Sequence, residues 1–219
     1  MIKRTAIVFD MDGLMVDTEP LSRQAWDEFL RPYGHSLDDK IISRMVGFRA
    51  DESTRILLEA FDVPLSVEEI IRRKAAIYDE IRTRGVPVMP GFPELQAAIA
   101  ERRLPWAVAT SSPRRHAEEI LGQLGLVGAC HAIAGGDEVA RGKPAPDIYR
   151  LAASRLGIPP DQCLALEDSG PGSQAAAAAG MLTVVIPGAD MSAVNFSHAD
   201  YVFSSLHEVA ANLDELLAH

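Results

Sequence analysis

The first strand signal of the chain reads Ala6-Ile7-Val8-Phe9-Asp10-Met11-Asp12-Gly13. Four consecutive apolar residues that end in aspartate are typical of a buried strand in a parallel sheet. Further short apolar runs, such as Trp106–Ala109 and Leu164–Leu166, alternate with stretches of helical periodicity. Because parallel strands are joined by crossover helices, this alternation predicts an α/β fold, a Rossmann-like doubly wound parallel sheet with helices on both faces.

A long stretch without a convincing strand separates the first two strands. Helices are expected there at about 19–31, 37–45, 51–61 and 67–84, with Ser66 as a cap of the last one. We therefore predict an inserted α-helical cap domain at residues 18–88. The α/β core domain would consist of residues 1–17 and 89–219.

The second half of the chain continues the alternation of strands and helices. Helices are expected at about 93–102, 114–124, 147–156 and 174–179 and from Ser205 onwards, and strands near 132–134, 183–186 and 201–203. Folds of this kind bind their ligands at the carboxyl ends of the strands. The residues of functional interest should therefore follow the strands directly.

Composition disfavours several classes of partner and site. The chain has 219 residues, of which 21 are basic and 31 acidic, and the formal net charge of −10 argues against nucleic acid or an anionic membrane as a partner. Two cysteines are too few for a disulfide framework or a cysteine-rich zinc site. No apolar run has the length of a membrane span or a signal-peptide core. We therefore expect a cytoplasmic protein.

Polar side chains follow four separate segments of the predicted sheet. They are Asp10 and Asp12, Thr110-Ser111-Ser112, Lys143, and Glu167 with Asp168. Taken singly, each is ordinary, because such residues commonly form turns, helix caps or exposed surface. Four carboxylates at one edge of a sheet, however, would repel one another unless a divalent cation held them. Oxygen ligands of this kind favour Mg²⁺.

These residue types together suit phosphoryl transfer. Carboxylates, hydroxyls and an ammonium group around Mg²⁺ form a receptor for a phosphoryl group. One carboxylate can attack phosphorus to give an aspartyl-phosphate, while a second protonates the leaving alkoxide and later deprotonates water. Asp10 and Asp12 are placed to supply both roles if their environments push their pKa values apart.

The motifs of this chain resemble those of the haloacid-dehalogenase-like hydrolase superfamily. The matching segments, in the order that the family has, are Asp10-Met11-Asp12-Gly13, Thr110-Ser111-Ser112, Gly142–Asp147 and Glu167-Asp168-Ser169. The stretch Glu167–Met181 is similar to the subgroup of β-phosphoglucomutase and the sugar-phosphate phosphatases. The resemblance spans essentially the whole chain. It implies a monomeric phosphatase that acts on a small phosphorylated metabolite, such as a sugar phosphate.

The resemblance also implies roles for the acidic residues. Asp10 matches the nucleophile, and Asp12 matches the general acid and base. Mg²⁺ would be bound by the Asp10 carboxylate, the main-chain carbonyl of Asp12 and Asp168. Glu167 would be either a further ligand or a neighbour of the ligands. Because Asp12 is present, the resemblance favours an oxygen leaving group over the substrates of dehalogenases and phosphonate hydrolases.

The phosphate-holding positions of the family match Thr110 and Lys143, and Lys143 would also neutralise Asp10. Ser111 and Ser112 would add contacts from the same loop. In the cap, which is expected to close over the substrate and exclude water, Lys74 and Arg49 are candidates for substrate contact. For both cap residues an ordinary position on a solvated helix remains an alternative.

Two departures from the family pattern bear on the reaction. β-Phosphoglucomutases usually carry a histidine where this chain has Ser22, and they place a cap arginine where this chain has Ala50, one residue after Arg49. These departures favour a phosphatase, with a β-phosphoglucomutase-type mutase as the alternative. Another alternative is an idle regulatory protein with the same fold. An EF-hand is rejected, because Leu14 and Met15 occupy the positions that need an oxygen ligand and glycine.

The aromatic and histidine residues are expected to be structural. The six histidines show no spacing that suits a metal site, so each is expected to be structural or on the surface. Trp26 and Trp106 are expected in the hydrophobic core.

Overall fold

The computed structural model describes residues 3–45, 47–188 and 196–218, and its centre is a six-stranded parallel sheet. The strands are β1 (Ala6–Phe9), β2 (Trp106–Ala109), β3 (Ala132–Ala134), β4 (Cys163–Glu167), β5 (Leu182–Val185) and β6 (Tyr201–Val202). They lie in the order β3-β2-β1-β4-β5-β6. Phe9 of β1 pairs with Val108 of β2 and with Leu166 of β4, so that β1 is central. The predicted doubly wound α/β fold is confirmed.

A helical insertion follows β1. It consists of α1 (Glu19–Leu30), α2 (Asp39–Met45), α3 (Ala50–Ala60) and α4 (Val67–Arg82), with a short 3₁₀ turn at Arg31–Tyr33. These helices bury a hydrophobic cluster of their own that includes Trp26, Phe29 and Leu57. As predicted, Ser66 caps α4, and its hydroxyl accepts a hydrogen bond from the Glu69 amide at 3.3 Å.

The two ends of the insertion run side by side. Val16 forms an antiparallel bridge with Val88, and the Asp17 amide donates to the Pro87 carbonyl at 2.8 Å. This pairing brings the chain back to the sheet next to where it left. The domain division at 17/18 and 88/89 itself stays a prediction.

The remaining helices cover both faces of the sheet. They are α5 (Phe92–Glu101), α6 (Arg114–Gln123), α7 (Asp147–Leu156), α8 (Gly170–Ala179), α9 (Leu206–Ala211) and α10 (Leu213–Ala218). Helices α5, α6, α9 and α10 pack on one face and α7 and α8 on the other. Within the first of these layers, Phe9 meets Phe92 and Trp106 edge to face, with ring centroids 5.8 and 5.7 Å apart. Among the described residues, no helix has both the length and the apolar character that crossing a bilayer requires.

Helix α8 begins at Gly170, four residues before the predicted start at Gln174. Glycine and proline at 170–172 suggest a loop, but the Ser169 hydroxyl caps the helix by accepting from the Gly172 amide at 3.2 Å. Proline in the first turn is compatible with a helix, because the amide that it lacks has no intrahelical partner there. The predicted C-terminal helix was also inaccurate: after the Ser205 cap it forms two short helices, α9 and α10.

Candidate active site

A buried lysine connects two strand ends at the carboxyl edge of the sheet. Asp10 directly follows β1, Glu167 is the last residue of β4, and Lys143 comes from the loop before α7. Lys143 Nζ donates to Asp10 Oδ1 and to Glu167 Oε1, both at 2.5 Å, and only 1% of the residue is exposed. Burial alone would lower the pKa of Lys143, but the two carboxylates raise it above its usual value. The ammonium group therefore stays charged and neutralises part of the acidic cluster.

Three buried carboxylates surround this single ammonium group. Oxygen atoms of Asp10, Glu167 and Asp168 lie within 4.8 Å of one another. Burial raises the pKa of Asp10 to about 8, and Glu167 and Asp12 add to this effect while Lys143 opposes it. Burial, Asp10 and Glu167 likewise hold the pKa of Asp168 well above its usual range. A hard divalent cation would remove this charge imbalance, and oxygen donors at this spacing could hold such an ion.

Both oxygens of Glu167 are occupied by protein donors. Oε1 accepts from Lys143 and from the Tyr149 hydroxyl at 2.6 Å, while Oε2 accepts from the Asp168 and Ser169 amides and the Ser169 hydroxyl at 3.1–3.2 Å. Of the two roles considered for Glu167, this placement favours a neighbour that orients Lys143 and Asp168. A Cβ at Gly172 would collide with the Glu167 carboxylate, which explains glycine inside the first turn of α8.

The Asp12 carboxylate is held by hydroxyls from two parts of the chain. Thr18 Oγ1 donates to Oδ1 at 2.8 Å, and Thr110 Oγ1 and Ser112 Oγ donate to Oδ2 at 3.0 and 2.9 Å. Gly13, with φ of +85°, turns the chain away from the Asp168 side chain, which leaves no room for a Cβ there. The orientation of Asp12 therefore depends on Thr18, the residue directly before the first helix of the insertion.

A cavity of about 280 Å³ lies between the helical insertion and the carboxyl edge of the sheet. Asp10, Asp12, Asp168, Ser111 and Ser112 form the part of its wall that the sheet edge contributes. Six of the ten predicted site residues reach this cavity, the sixth being Lys74 from the insertion. The structure thus brings together carboxylates, hydroxyls and an ammonium group at one site.

The three hydroxyls predicted to contact phosphate make other contacts, and that of Ser112 donates to Asp12, as described above. Thr110 is fully buried, and its hydroxyl donates to Asp12 while accepting from the Ser112 amide at 3.0 Å. Ser111 lies at the cavity wall, but its hydroxyl donates to the Gly47 carbonyl of the insertion at 3.0 Å. Their roles in holding phosphate stay predictions. The contact of Ser111 joins the sheet edge to the insertion, and the sequence does not indicate it.

Lys74 extends from α4 into the cavity. Its Nζ donates to the Ser22 hydroxyl at 3.1 Å and lies 4.5 Å from the ring centre of Tyr78 and 5.2 Å from that of Trp26. Burial lowers the pKa of Lys74 to about 8, against the opposing effect of Asp12 and Asp79. This placement disfavours the alternative of an ordinary solvated helix face. Trp26 belongs to the core of the insertion, as predicted, and also lines the cavity.

Arg49 does not line the cavity. Its Nη1 donates to the carbonyls of Gly136 and Val139 at 3.3 and 3.1 Å, in the segment that follows β3. The guanidinium group thus joins the insertion to the sheet domain. This placement does not support a contact between Arg49 and the substrate.

Three residues at or near the site could not be identified from the sequence. Tyr149 gave no signal, because it projects from the interior of α7 toward Glu167. For Thr18 the sequence gave a weak signal, because threonine is a common N-cap residue and Thr18 directly precedes a predicted helix. His116, expected to be structural or exposed, is buried at the cavity wall with Nε2 3.2 Å from Asp79 Oδ1. Burial, followed by the charge of Arg82, lowers the pKa of His116.

Comparisons with known proteins point to one family. A family model described as haloacid dehalogenase-like hydrolase matches residues 5–180. The "Probable pseudouridine-5′-phosphatase" of Drosophila melanogaster is 38% identical over 93% of this chain and 90% of the relative. The "Phosphorylated carbohydrates phosphatase" of Thermotoga maritima is 34% identical over 80% of this chain and 82% of the relative.

A solved structure shows the same architecture. CbbY from Rhodobacter sphaeroides in complex with phosphate superposes with a TM-score of 0.87 and 32% identity, covering 98% of this chain and 100% of that chain. The fold class and the resemblance expected from the motifs are both confirmed. Because a family model covers most of its length and relatives above 30% identity cover nearly all of it, this chain belongs to the haloacid dehalogenase-like hydrolases.

Proposed function

We propose that this chain is a Mg²⁺-dependent phosphatase that hydrolyses a small phosphomonoester through an aspartyl-phosphate on Asp10. The observation that carries the proposal is the buried cluster of Asp10, Glu167 and Asp168 around Lys143, with Asp12 facing the same cavity. The two curated relatives described above are named phosphatases, which supports a phosphoric monoester hydrolase. The substrate class, a sugar phosphate or related metabolite, is supported by the name of the second relative.

The site residues divide metal binding, attack on phosphorus and proton transfer among them. Asp10, Asp168 and the main-chain carbonyl of Asp12 would hold Mg²⁺, which when bound neutralises phosphoryl oxygens. Lys143 balances the charge of Asp10 and keeps the carboxylate in place for attack. In the first step, an Asp10 oxygen bonds to phosphorus as the ester bond breaks, and Asp12 gives its proton to the leaving oxygen. In the second, Asp12 takes a proton from water as that water attacks phosphorus, releasing phosphate and free Asp10.

Phosphate release from a panel of phosphorylated metabolites tests the proposal. We expect turnover that requires Mg²⁺ and stops when a chelator is added. Failure to release phosphate from any member of the panel, or from p-nitrophenyl phosphate, would contradict the proposal. An idle regulatory protein predicts that failure.

The mutase alternative predicts a different product. It requires turnover of β-glucose 1-phosphate with a bisphosphate primer and without net release of phosphate. The placement of Arg49 outside the cavity and of Ser22 beside Lys74 weighs against it.

Substituting Asp168→Asn should stabilise the metal-free protein and abolish its response to Mg²⁺. The change removes one of three buried carboxylates that share one ammonium group, so the unfolding midpoint should rise by about 2–4 °C, equivalent to about 1 kcal/mol in a chain of this length. For the native protein, saturating Mg²⁺ should raise the midpoint by linkage, and this increase should be lost in the variant. Differential scanning calorimetry with and without Mg²⁺ measures both effects.

The exposed Asp161, which lies outside the site, provides the control, and Asp161→Asn should change neither quantity. An undiminished Mg²⁺ response in Asp168→Asn would remove Asp168 from the ligands.

The protonation state of Lys74 should control how kcat/KM changes at alkaline pH. With a pKa of about 8, the ammonium group is charged below pH 8 and neutral above it. If it contacts the substrate, kcat/KM should fall as pH rises through 8, mainly through a higher KM. Substituting Lys74→Arg keeps the charge at high pH and should move this fall to higher pH. An unchanged alkaline limb in Lys74→Arg would assign the titration to another group.

A further inference from the structure

The wall that the insertion contributes to the cavity is largely apolar. The insertion lines the cavity with six large apolar side chains, and its polar lining residues include Glu19, Ser22 and Arg23. The apolar six are Trp26, Leu37, Ile42, Met45, Phe48 and Ile71. Ser53 and Thr54 also line it, but their hydroxyls donate to the backbone carbonyls of Met45 and Ala50 at 3.1 and 2.6 Å. A polyhydroxylated leaving group packed against the six apolar side chains would lose hydrogen bonds to water without replacing them there, which is costly.

Two of the apolar wall residues have no evident packing role. Phe48 and Ile71 are only half-buried, and among the described residues neither belongs to a hydrophobic cluster. An aromatic ring and a branched aliphatic side chain held at a cavity wall suit contact with a flat apolar surface. The fold therefore gains little from these two side chains unless a ligand covers them.

Two cations of the insertion line the cavity, Arg23 and Lys74. Arg23 is paired with Asp39 at 2.7 Å, so that Lys74 is the better candidate for a ligand contact. Lys74 Nζ lies beside the Trp26 and Tyr78 rings and has donors to spare, since its hydrogen bond to Ser22 uses one of three. A buried ammonium group at this position suits a hydrogen-bond acceptor on an otherwise flat, apolar ligand. The cavity volume of about 280 Å³ lies just below the usual range for ligand sites, about 300–1,000 Å³, which favours a single ring over a fused one.

We propose that the leaving group of this phosphatase is an alcohol that carries a single planar heterocycle, as in a pyrimidine nucleoside, with the ring against Phe48 and Ile71 and a ring carbonyl accepting from Lys74. The proposal rests on the proposed phosphatase function and narrows its substrate from sugar phosphates in general. The phosphate would lie at Asp10, and the ring would replace water at the apolar wall.

A matched pair of esters tests the ring alone. Ribose 5-phosphate and uridine 5′-monophosphate are both primary phosphate esters of a ribose C5′ hydroxyl and differ by the heterocycle. With Mg²⁺, we expect kcat/KM for uridine 5′-monophosphate to be about 10-fold higher or more, because only that ester buries a ring. Guanosine 5′-monophosphate, with a fused ring, should be the poorer nucleotide. Equal or faster turnover of the guanosine ester would overturn the single-ring assignment.

A pair of cap variants locates the contact. Phe48→Ala should reduce the preference for uridine 5′-monophosphate over ribose 5-phosphate by about 5-fold. Phe61→Leu is the control, because Phe61 is an aromatic residue of the same insertion that packs into its cluster and does not line the cavity. It should leave the preference unchanged. An unchanged preference in Phe48→Ala would contradict the placement of the ring.

The outcomes separate this inference from the proposed function. If p-nitrophenyl phosphate is hydrolysed but ribose 5-phosphate is turned over as well as uridine 5′-monophosphate, or neither is turned over, the inference is wrong and the phosphatase stands. If no ester, including p-nitrophenyl phosphate, releases phosphate with Mg²⁺, the proposed function itself is wrong. Calorimetric titration of the Asp10→Asn protein with the same two esters gives a binding readout that needs no turnover, and tighter binding of the uridine ester is expected.

Discussion

Phosphate release should fall by about 10³-fold or more when Asp10 is replaced by asparagine. The amide oxygen of asparagine is not a competent nucleophile, so no covalent intermediate can form. The fold should survive, because Lys143 keeps Glu167 as a charged partner and the new side chain has nearly the same shape. Steady-state phosphate release, together with circular dichroism and the unfolding midpoint, measures both parts of the expectation.

A direct assay for the intermediate sharpens this test. Acid-quenched native protein incubated with ³²P-labelled substrate should carry label that hydroxylamine removes, as expected for an acyl phosphate, and the Asp10→Asn protein should carry none. Asp161→Asn, an exposed aspartate of the sheet domain, serves as the matched control and should retain full labelling. More than a few per cent of native activity in Asp10→Asn would exclude Asp10 as the nucleophile.

The Asp12→Asn substitution should separate the two chemical steps. With alkyl phosphates, turnover should fall by about 10²–10⁴-fold, because the leaving alkoxide needs a proton. With p-nitrophenyl phosphate the leaving phenolate needs none, so Asp10 should still be phosphorylated while hydrolysis of the intermediate stalls. Stopped-flow absorbance should therefore show a burst of about one p-nitrophenolate per protein molecule, followed by a slow steady state.

Thr18→Val provides a graded comparison with this variant. It removes one of the three hydroxyls that hold the Asp12 carboxylate but leaves the carboxylate itself. Losing one hydrogen bond to a charged group should reduce turnover by only about 10-fold, with no burst. Equal losses for alkyl and aryl esters in Asp12→Asn, without a burst, would contradict the assignment of Asp12 as general acid and base.

The parts of the molecule that the sequence predicted well depend on local patterns. Each strand of the sheet is a short apolar run, and α7 spans the predicted 147–156 without change. Asp10 and Asp168 could be expected close together because strand ends in a parallel sheet meet at one edge whatever the details of packing. Lys143, in the loop before α7, was indicated by its motif. Where local rules compete, the prediction was less accurate. Gly170 and Gly172 are typical of a loop, yet both lie in the first turn of α8. Glycine is needed at position 172 because a Cβ there would collide with the Glu167 carboxylate.

The contacts that the sequence did not predict join segments that are distant along the chain. Arg49 meets the carbonyls of Gly136 and Val139, which are 87 and 90 residues away along the chain. Tyr149 reaches Glu167 from a helix interior, and no periodicity distinguishes it from an ordinary core residue. Tertiary packing decides such contacts, between the insertion and the sheet for Arg49 and between α7 and β4 for Tyr149, and it leaves no mark in local composition.

The β-bridge between Val16 and Val88 has an evolutionary consequence. Because the insertion leaves and re-enters about one strand spacing apart, roughly 5 Å, everything between the two crossings can be lengthened, shortened or exchanged without displacing β1. We expect mutations there, other than at Thr18, to change which molecule is recognised and to leave Asp10, Lys143 and Asp168 in place. Descendants of one ancestral gene can thus acquire new metabolic targets and keep a single chemistry.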